Sequence, residues 1–306
     1  MKKRLIFLII ISFTLTAIIG AQVRYTIIPE TPIPGDPVTI GVNSAARHAL
    51  LLVNGRQLAR SAFFPVPAEN GQPDFMAAIL TIPSTVEGGQ AIIKVENERG
   101  VICEIPVTVA DRTFPSETLR LNPALTGLLS DPDPQKTIEA NRLWAILSAT
   151  GNAVYHTGPF IMPVSSNRRT SSFGSRRINE YSDGRRTTSI HAGVDYAAPS
   201  GTPVIACGAG RVVLARMRIV TGNSVIIEHA PGIYSIYYHL ESISIEEETF
   251  VQTGELIGHV GSTGFSTGPH LHWEVRVSTE NTDPHAFMVR PILDKSSIIS
   301  RLYNID

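Results

Sequence analysis

Hydrophobic and polar positions change rhythm along the chain, and each rhythm predicts a different kind of element. Lys2, Lys3 and Arg4 precede an apolar run from Leu5 to Ile19 that closes on the small residues Gly20 and Ala21. That is the layout of a secretory signal peptide over residues 1–21. The run contains Ser12, Thr14 and Thr16 and is short for crossing a bilayer, so cleavage near Ala21 is expected rather than a permanent membrane anchor. From Val23 to about Ala110 short β-prone runs follow, among them Pro37 to Val42, Met76 to Ile82 and Val101 to Val109, punctuated by Pro and Gly. Asn54-Gly55 between two of them predicts a type I′ hairpin, because both central residues of that turn need positive φ. An immunoglobulin-like β-sandwich over residues 22–110 fits this pattern.

Residues 111–163 read differently. Prolines 115, 123, 132 and 134 are spread along the first half. Asp133-Pro134 is an N-cap followed by a first helical residue, and Ala140, Leu143, Trp144 and Leu147 form one apolar helical face before Gly151. A linker with one helix is expected, its stripe packed on a neighbouring domain. Beyond Val164 the chain is β-rich again, with runs at Thr202 to Cys207, Gly210 to Arg216, Ser224 to His229, Tyr234 to His239, Leu256 to Val260 and Leu271 to Val277. Glycines fall between them, and the crossovers that parallel strands would need are absent, so residues 164–306 are expected to form an antiparallel all-β domain.

Composition narrows the function. Charged residues make up 17% and hydrophobic ones 43%, which describes a folded chain. Loss of the leader takes Lys plus Arg from 26 to 23 against 27 acidic residues, a net charge of about −4 with no basic block, and nucleic acid is not an expected partner. Cys103 and Cys207 lie in separate predicted domains, so no disulfide between them is expected.

The chemistry is concentrated in His191-Ala192-Gly193-Val194-Asp195 and Gly268-Pro269-His270-Leu271-His272. Residues two apart on a strand face one side, so His270 and His272 project together. Two histidine nitrogens and one carboxylate would leave a fourth zinc position open, and a cation there lowers the pKa of bound water toward neutrality. Hydrolysis of an amide then needs a base and a donor for the oxyanion. His239 is a further candidate; alternation along its strand groups it with Ser235 and Tyr237. A strand-end histidine bonded to a carbonyl is the plainer reading of that position. His48, His156, His229, His259 and His285 stand outside these motifs and are expected as surface or satisfied core residues.

Ser172-Phe173-Gly174-Ser175-Arg176, His191-Ala192-Gly193-Val194-Asp195, Tyr238-His239-Leu240 and Gly268-Pro269-His270-Leu271-His272, in this order, resemble the motifs of LytM or lysostaphin-type metallopeptidases, the M23 family of peptidoglycan endopeptidases. The resemblance covers about Thr170 to Pro284. It implies one Zn2+ per chain held by His191, Asp195 and His272, with His239 and His270 activating water and stabilising the transition state, and peptidoglycan as substrate. Trp273 stands where the family more often has Phe, a change of packing rather than chemistry. A non-catalytic LytM-type regulator that activates cell-wall amidases is the alternative, against which the intact ligands count. Export to the periplasm or cell envelope follows from the leader. The sandwich is expected to bind wall or a protein partner or to act as a spacer, and Asn167 or His156 could occupy the open metal position in a latent form.

Overall fold

The computed structural model describes residues 23–69, 71–149 and 151–303. The expected signal peptide lies outside the described residues. No helix among those described is long and apolar enough to cross a membrane.

The first part holds two four-stranded antiparallel sheets. One joins β1 (Tyr25–Ile28), β2 (Pro37–Val42), β5 (Phe64–Val66) and β6 (Phe75–Thr81). The other joins β3 (His48–Val53), β4 (Arg56–Ala62), β7 (Gly89–Asn97) and β8 (Gly100–Val109). Asn54 and Gly55 both have positive φ at the β3–β4 turn, as the I′ geometry requires. Val38, Ile40, Ala78 and Leu80 from one sheet share a core with Leu51, Ile93, Ile105 and Val107 from the other.

The remainder of the chain begins with β9 (Ser116–Arg120), α1 (Pro123–Ser130) and α2 (Pro134–Ser148). A large sheet follows, in the order β10 (Arg169–Ser171), β13 (Val194–Ala197), β20 (His270–Val277), β17 (Ile233–Ile243), β16 (Gly222–Ala230), β15 (Gly210–Arg218), β18 (Phe250–Val251). Every pairing on that path is antiparallel. β14 (Pro203–Ile205) and β19 (Leu256–Val260) attach through β17, and β21 (Glu280–Thr282) extends β20. β11 (Arg176–Glu180) and β12 (Arg186–Ile190) form a hairpin whose free edge is taken by β9, a parallel pairing. α3 (Pro284–Val289) and α4 (Lys295–Tyr303) close the chain.

The two parts are not beads on a string. β6 is buried on both faces: Ala78 and Leu80 enter the sandwich core, while Ala77 and Ile79 join the core that also contains Ile298 and Leu302 of α4 and Phe287 of α3. Its sequence, Phe-Met-Ala-Ala-Ile-Leu-Thr, is continuously apolar rather than alternating, which is what burial on both faces demands. Polar pairs rim this junction, including Arg112 with Asp283 at 2.6 Å and Arg290 with Asp36 at 3.1 Å.

Residues 111–163 contain a strand and two helices where sequence pattern predicts one helix. α1 is short but capped, Asn122 accepting from the amide of Leu125 ahead of Pro123. α2 has the expected Asp133 cap, yet the face it buries is rotated from the one predicted. Leu143, Ile146 and Leu147 pack on Leu214, Ile226 and Ile236, whereas Trp144 is 61% exposed. Two polar contacts set that rotation: Glu139 accepts from the amide of Ile219, and Arg142 pairs with Glu247. α3 and α4 were not predicted either, although Asp283-Pro284 is a readable cap.

Candidate metal centre

The two chemical motifs meet because β13 and β20 are neighbours in register, with Asp195 opposite His272 and Val194 opposite Trp273. Gly193 permits the approach: a Cβ there would lie 2.2 Å from the carbonyl oxygen of Trp273. His191 precedes the strand and is clamped by the Phe173-Gly174 turn. The amide of Gly174 donates to the carbonyl of His191, and the amide of His191 donates to the carbonyl of Ser175, both at 2.9 Å. Gly174 has φ +76° and the ring of Phe114 occupies the space a side chain would need, so this turn accepts only glycine.

Carbonyl and carboxylate partners assign the ring tautomers, since such oxygens only accept. His191 Nδ1 lies 2.9 Å from the carbonyl of Ser172, His239 Nδ1 2.8 Å from that of Thr263, and His270 Nδ1 2.7 Å from that of Gly268. Each of these nitrogens therefore carries the proton, and each Nε2 keeps a lone pair. His272 is the reverse: its Nε2 donates to Glu274 Oε1 at 2.9 Å, and its Nδ1, 2.7 Å from Asp195 Oδ1, carries a second proton in the metal-free site. Glu274 is held in turn by Arg276 at 2.8 Å. Histidines that ligate metals are commonly fixed in this way through the other ring nitrogen.

His191 Nε2, His272 Nδ1 and Asp195 Oδ1 form a buried triangle with edges of 3.0, 2.7 and 3.1 Å. A tetrahedral zinc with bonds of about 2.0–2.2 Å has ligand edges of about 3.3–3.6 Å, so the edges of the triangle need to open by about 0.2–0.9 Å, most between His272 and Asp195. The donor set fits the ion once the His272 Nδ1 proton leaves: two imidazole nitrogens, one carboxylate, and room on the cleft side for a fourth ligand. Electrostatics agree. Burial opposes ionisation of Asp195, yet His272 and His191 hold its carboxyl well below the ordinary range. Burial likewise opposes charge on His272, but Asp195 and then Glu274 raise it to about 9. The site holds a cation in the form of a proton, which a metal would displace.

His239 and His270 lie beside this triangle, their ring centroids 4.9 Å apart, with His270 Nε2 3.8 Å from Asp195 Oδ1. Burial first, then His272 and His270, lower His239 to about 3, leaving the ring neutral at pH 7. Strand alternation is a poor guide here. Ser235 and Tyr237 point into the core, where Ser235 bonds His229 and Tyr237 bonds the amide of Cys207. His239 leaves that face because its φ is +63°, a left-handed conformation that ends the alternation and turns the ring toward His270. Tyr238, opposite His272 in the sheet, stacks on that ring with planes 6° apart.

The cleft in front of the five residues is lined also by Leu119 of β9, Ile190, Thr221, Tyr238 and Phe265. Of these, Tyr238 alone had a signal in the sequence pattern, its place in Tyr-His-Leu, and the other four had none. Arg177 and Glu274, which hold Asp195 and His272, had none beyond proximity to motifs. The other histidines stay away from the site: His48 bonds Arg60, His259 bonds Ser242, and His285 bonds Tyr196. His229 is buried beside Cys207 and Ser235. His156 packs against Phe160 and His229, and neither it nor Asn167 lines the cleft, so no latent ligand comes from them. Cys103 and Cys207 are both free.

Comparison with known proteins agrees with this geometry. The profile of Peptidase family M23 matches residues 189–284. These residues form a peptidase family M23 domain. All five candidate site residues fall inside it. The DD-carboxypeptidase/endopeptidase Mpg of Neisseria meningitidis serogroup B is 42% identical over 135 residues, which cover 44% of this chain and 30% of that protein. The peptidoglycan DD-endopeptidase ShyA of Vibrio cholerae is 40% identical over 116 residues, covering 38% of this chain and 26% of that one. The chain thus spans less than a third of the length of either relative. The crystal structure of an M23-type protein from Pseudomonas aeruginosa superposes with a TM-score of 0.60 at 23% identity, covering 84% of this chain and 94% of that one. The fold around the M23 domain, mainly antiparallel β, is shared with it.

Proposed function

We propose that the protein is an exported zinc metalloendopeptidase that hydrolyses peptide bonds in the stems or cross-links of peptidoglycan. The observation that carries this reading is the meeting of His191 Nε2, Asp195 Oδ1 and His272 Nδ1 in one buried triangle, with His239 and His270 beside it in a single cleft. His191 Nε2, Asp195 Oδ1 and His272 Nδ1 would hold the zinc, which when bound acidifies water and polarises the scissile carbonyl. His239 and His270 flank that position with their Nε2 atoms unprotonated. One would accept the proton of the attacking water and return that proton to the leaving amine, and the other, carrying a proton taken from solvent, would donate to the developing oxyanion. The Thr263 and Gly268 carbonyls keep both rings in the orientation this requires. Relatives named as DD-endopeptidases support the cross-link as the bond cut.

In this reading residues 164–306 are the peptidase unit, 111–163 a structured linker, and 22–110 an immunoglobulin-like domain that targets or spaces it in the cell envelope. Purified sacculi provide the test. Zinc-loaded wild-type protein is expected to convert cross-linked muropeptide dimers to monomers, and His272→Ala, which removes a ligand, is not. Equal dimer content after treatment with either protein overturns the proposal.

A further inference from the structure

The linker strand β9 reaches the metal centre by a route independent of the family motifs. Parallel pairing with β11 places Glu117 opposite Arg177. Glu117 Oε1 accepts from Arg177 Nε at 2.5 Å and from Ser171 Oγ at 2.7 Å. Nη2 of the same guanidinium donates to Asp195 Oδ2 at 2.9 Å and to Ser171 Oγ at 2.9 Å. Ser171 Oγ lies 3.0 Å from His191 Nδ1. The relay thus ends on the back of two of the three candidate zinc ligands.

We propose that Glu117 is a positioning residue of the metal centre, acting through Arg177 to aim Asp195. The inference rests on the zinc reading above. With Oδ2 held by Arg177, the Asp195 carboxylate presents Oδ1 alone to the two ligand nitrogens. Arg177 can do this because its rigid, planar guanidinium holds two carboxylates in a fixed relation, Glu117 through Nε and Asp195 through Nη2. An arginine cation beside a zinc site is adverse unless neutralised, and Glu117 supplies the neutralising charge. Loss of Glu117 therefore acts twice in one direction: it frees Arg177 to reorient Asp195, and it leaves a positive charge facing the zinc. These side chains are partly covered, Arg177 being 16% and Glu117 26% exposed, so the charges are not fully screened. The linker thereby becomes a working part of the site rather than a tether.

Zinc affinity, measured by competition between purified protein and a chromophoric chelator, reads this out without reference to activity. Glu117→Ala is expected to weaken zinc binding about 10-fold, within the 10- to 100-fold range typical of groups that orient ligands, and Glu117→Gln, which keeps an acceptor, by less. Because Glu117 acts through Arg177, adding Glu117→Ala to Arg177→Ala should cost little more than Arg177→Ala alone. Glu180→Ala is the control: Glu180 pairs with Arg120 and Arg186 on the same small sheet and does not line the cleft. Wild-type affinity in Glu117→Ala, strict additivity in the double variant, or an equal loss in Glu180→Ala would each overturn the positioning role. If the wild-type protein itself binds zinc no better than His272→Ala, the zinc reading fails instead.

Discussion

Replacing Gly193 by alanine tests how far the site depends on the approach of two strands. Gly193 has no left-handed φ, so the cost is steric rather than conformational. The added methyl would sit 2.2 Å from the Trp273 carbonyl oxygen and 2.9 Å from Glu274 Cγ, against the 3.0 Å that real Cβ contacts respect. Relief requires β13 and β20 to part by most of an ångström. That is next to the Asp195–His272 pair, and metal sites tolerate displacements of only about 0.5 Å. Overpacking of this kind costs about 1–3 kcal/mol, and the obstacle here is backbone rather than a flexible side-chain end, so the upper part of the range is expected. Urea unfolding of metal-free Gly193→Ala should show a loss of about 2–3 kcal/mol, and zinc affinity should fall at least 10-fold. Gly268→Ala is the matched control: nothing lies within 4 Å of its added methyl and its φ is ordinary, so it should be neutral or slightly stabilising. Wild-type stability and zinc affinity in Gly193→Ala would refute the claim that this glycine sets the spacing of the ligands.

Further outcomes are expected. His239→Ala and His270→Ala should retain zinc, measured by metal analysis, while hydrolysis of sacculi falls about 100-fold or more, because in the proposed function each removes a proton-transfer group and leaves the ligands in place. Chelator treatment of the wild-type protein should abolish hydrolysis, and added zinc should restore it. Burial of His229, with little compensation from the Ala209 carbonyl, lowers it to about 3. The unfolded chain protonates this residue below about 6.5 and the folded one does not until far lower, so stability is full above pH 6.5 and declines as pH falls. About 2 kcal/mol from this group should be gone by pH 5, and urea titrations of His229→Gln should lack that part of the slope. Ile298→Ala removes a fully buried side chain that bears on Gly41 of the sandwich sheet, and a loss of about 2–4 kcal/mol in urea unfolding is expected.

Much of the fold was legible because its signals are local. The predicted run Gly210 to Arg216 corresponds to Gly210–Arg218, and Leu256 to Val260 is matched without a shift, since tight glycine turns delimit both. Asn54-Gly55 needed no tertiary support to be read as a turn. The face of α2 was misjudged because apolar spacing alone does not distinguish Trp144 from Ile146; Glu139 and Arg142, bonded to partners about 80 and 105 residues away, decide it. His239 was placed on the wrong side of its strand because a single left-handed residue breaks a period of two.

By itself the sequence determined the inventory: which histidines and which aspartate, their spacing within each motif, and the glycines that allow the backbone to turn and approach. Those properties reside in short stretches, where side-chain type and local dihedral preference suffice. Only the tertiary structure decided which atoms face one another. The pairing of Asp195 with His272, the tautomer of each ring, the relay from Glu117 through Arg177, and the joining of the two cores through both faces of β6 all depend on strand register between distant segments. A one-residue slip in any of those registers would turn the same side chains to the opposite face, and no local pattern specifies the partner strand.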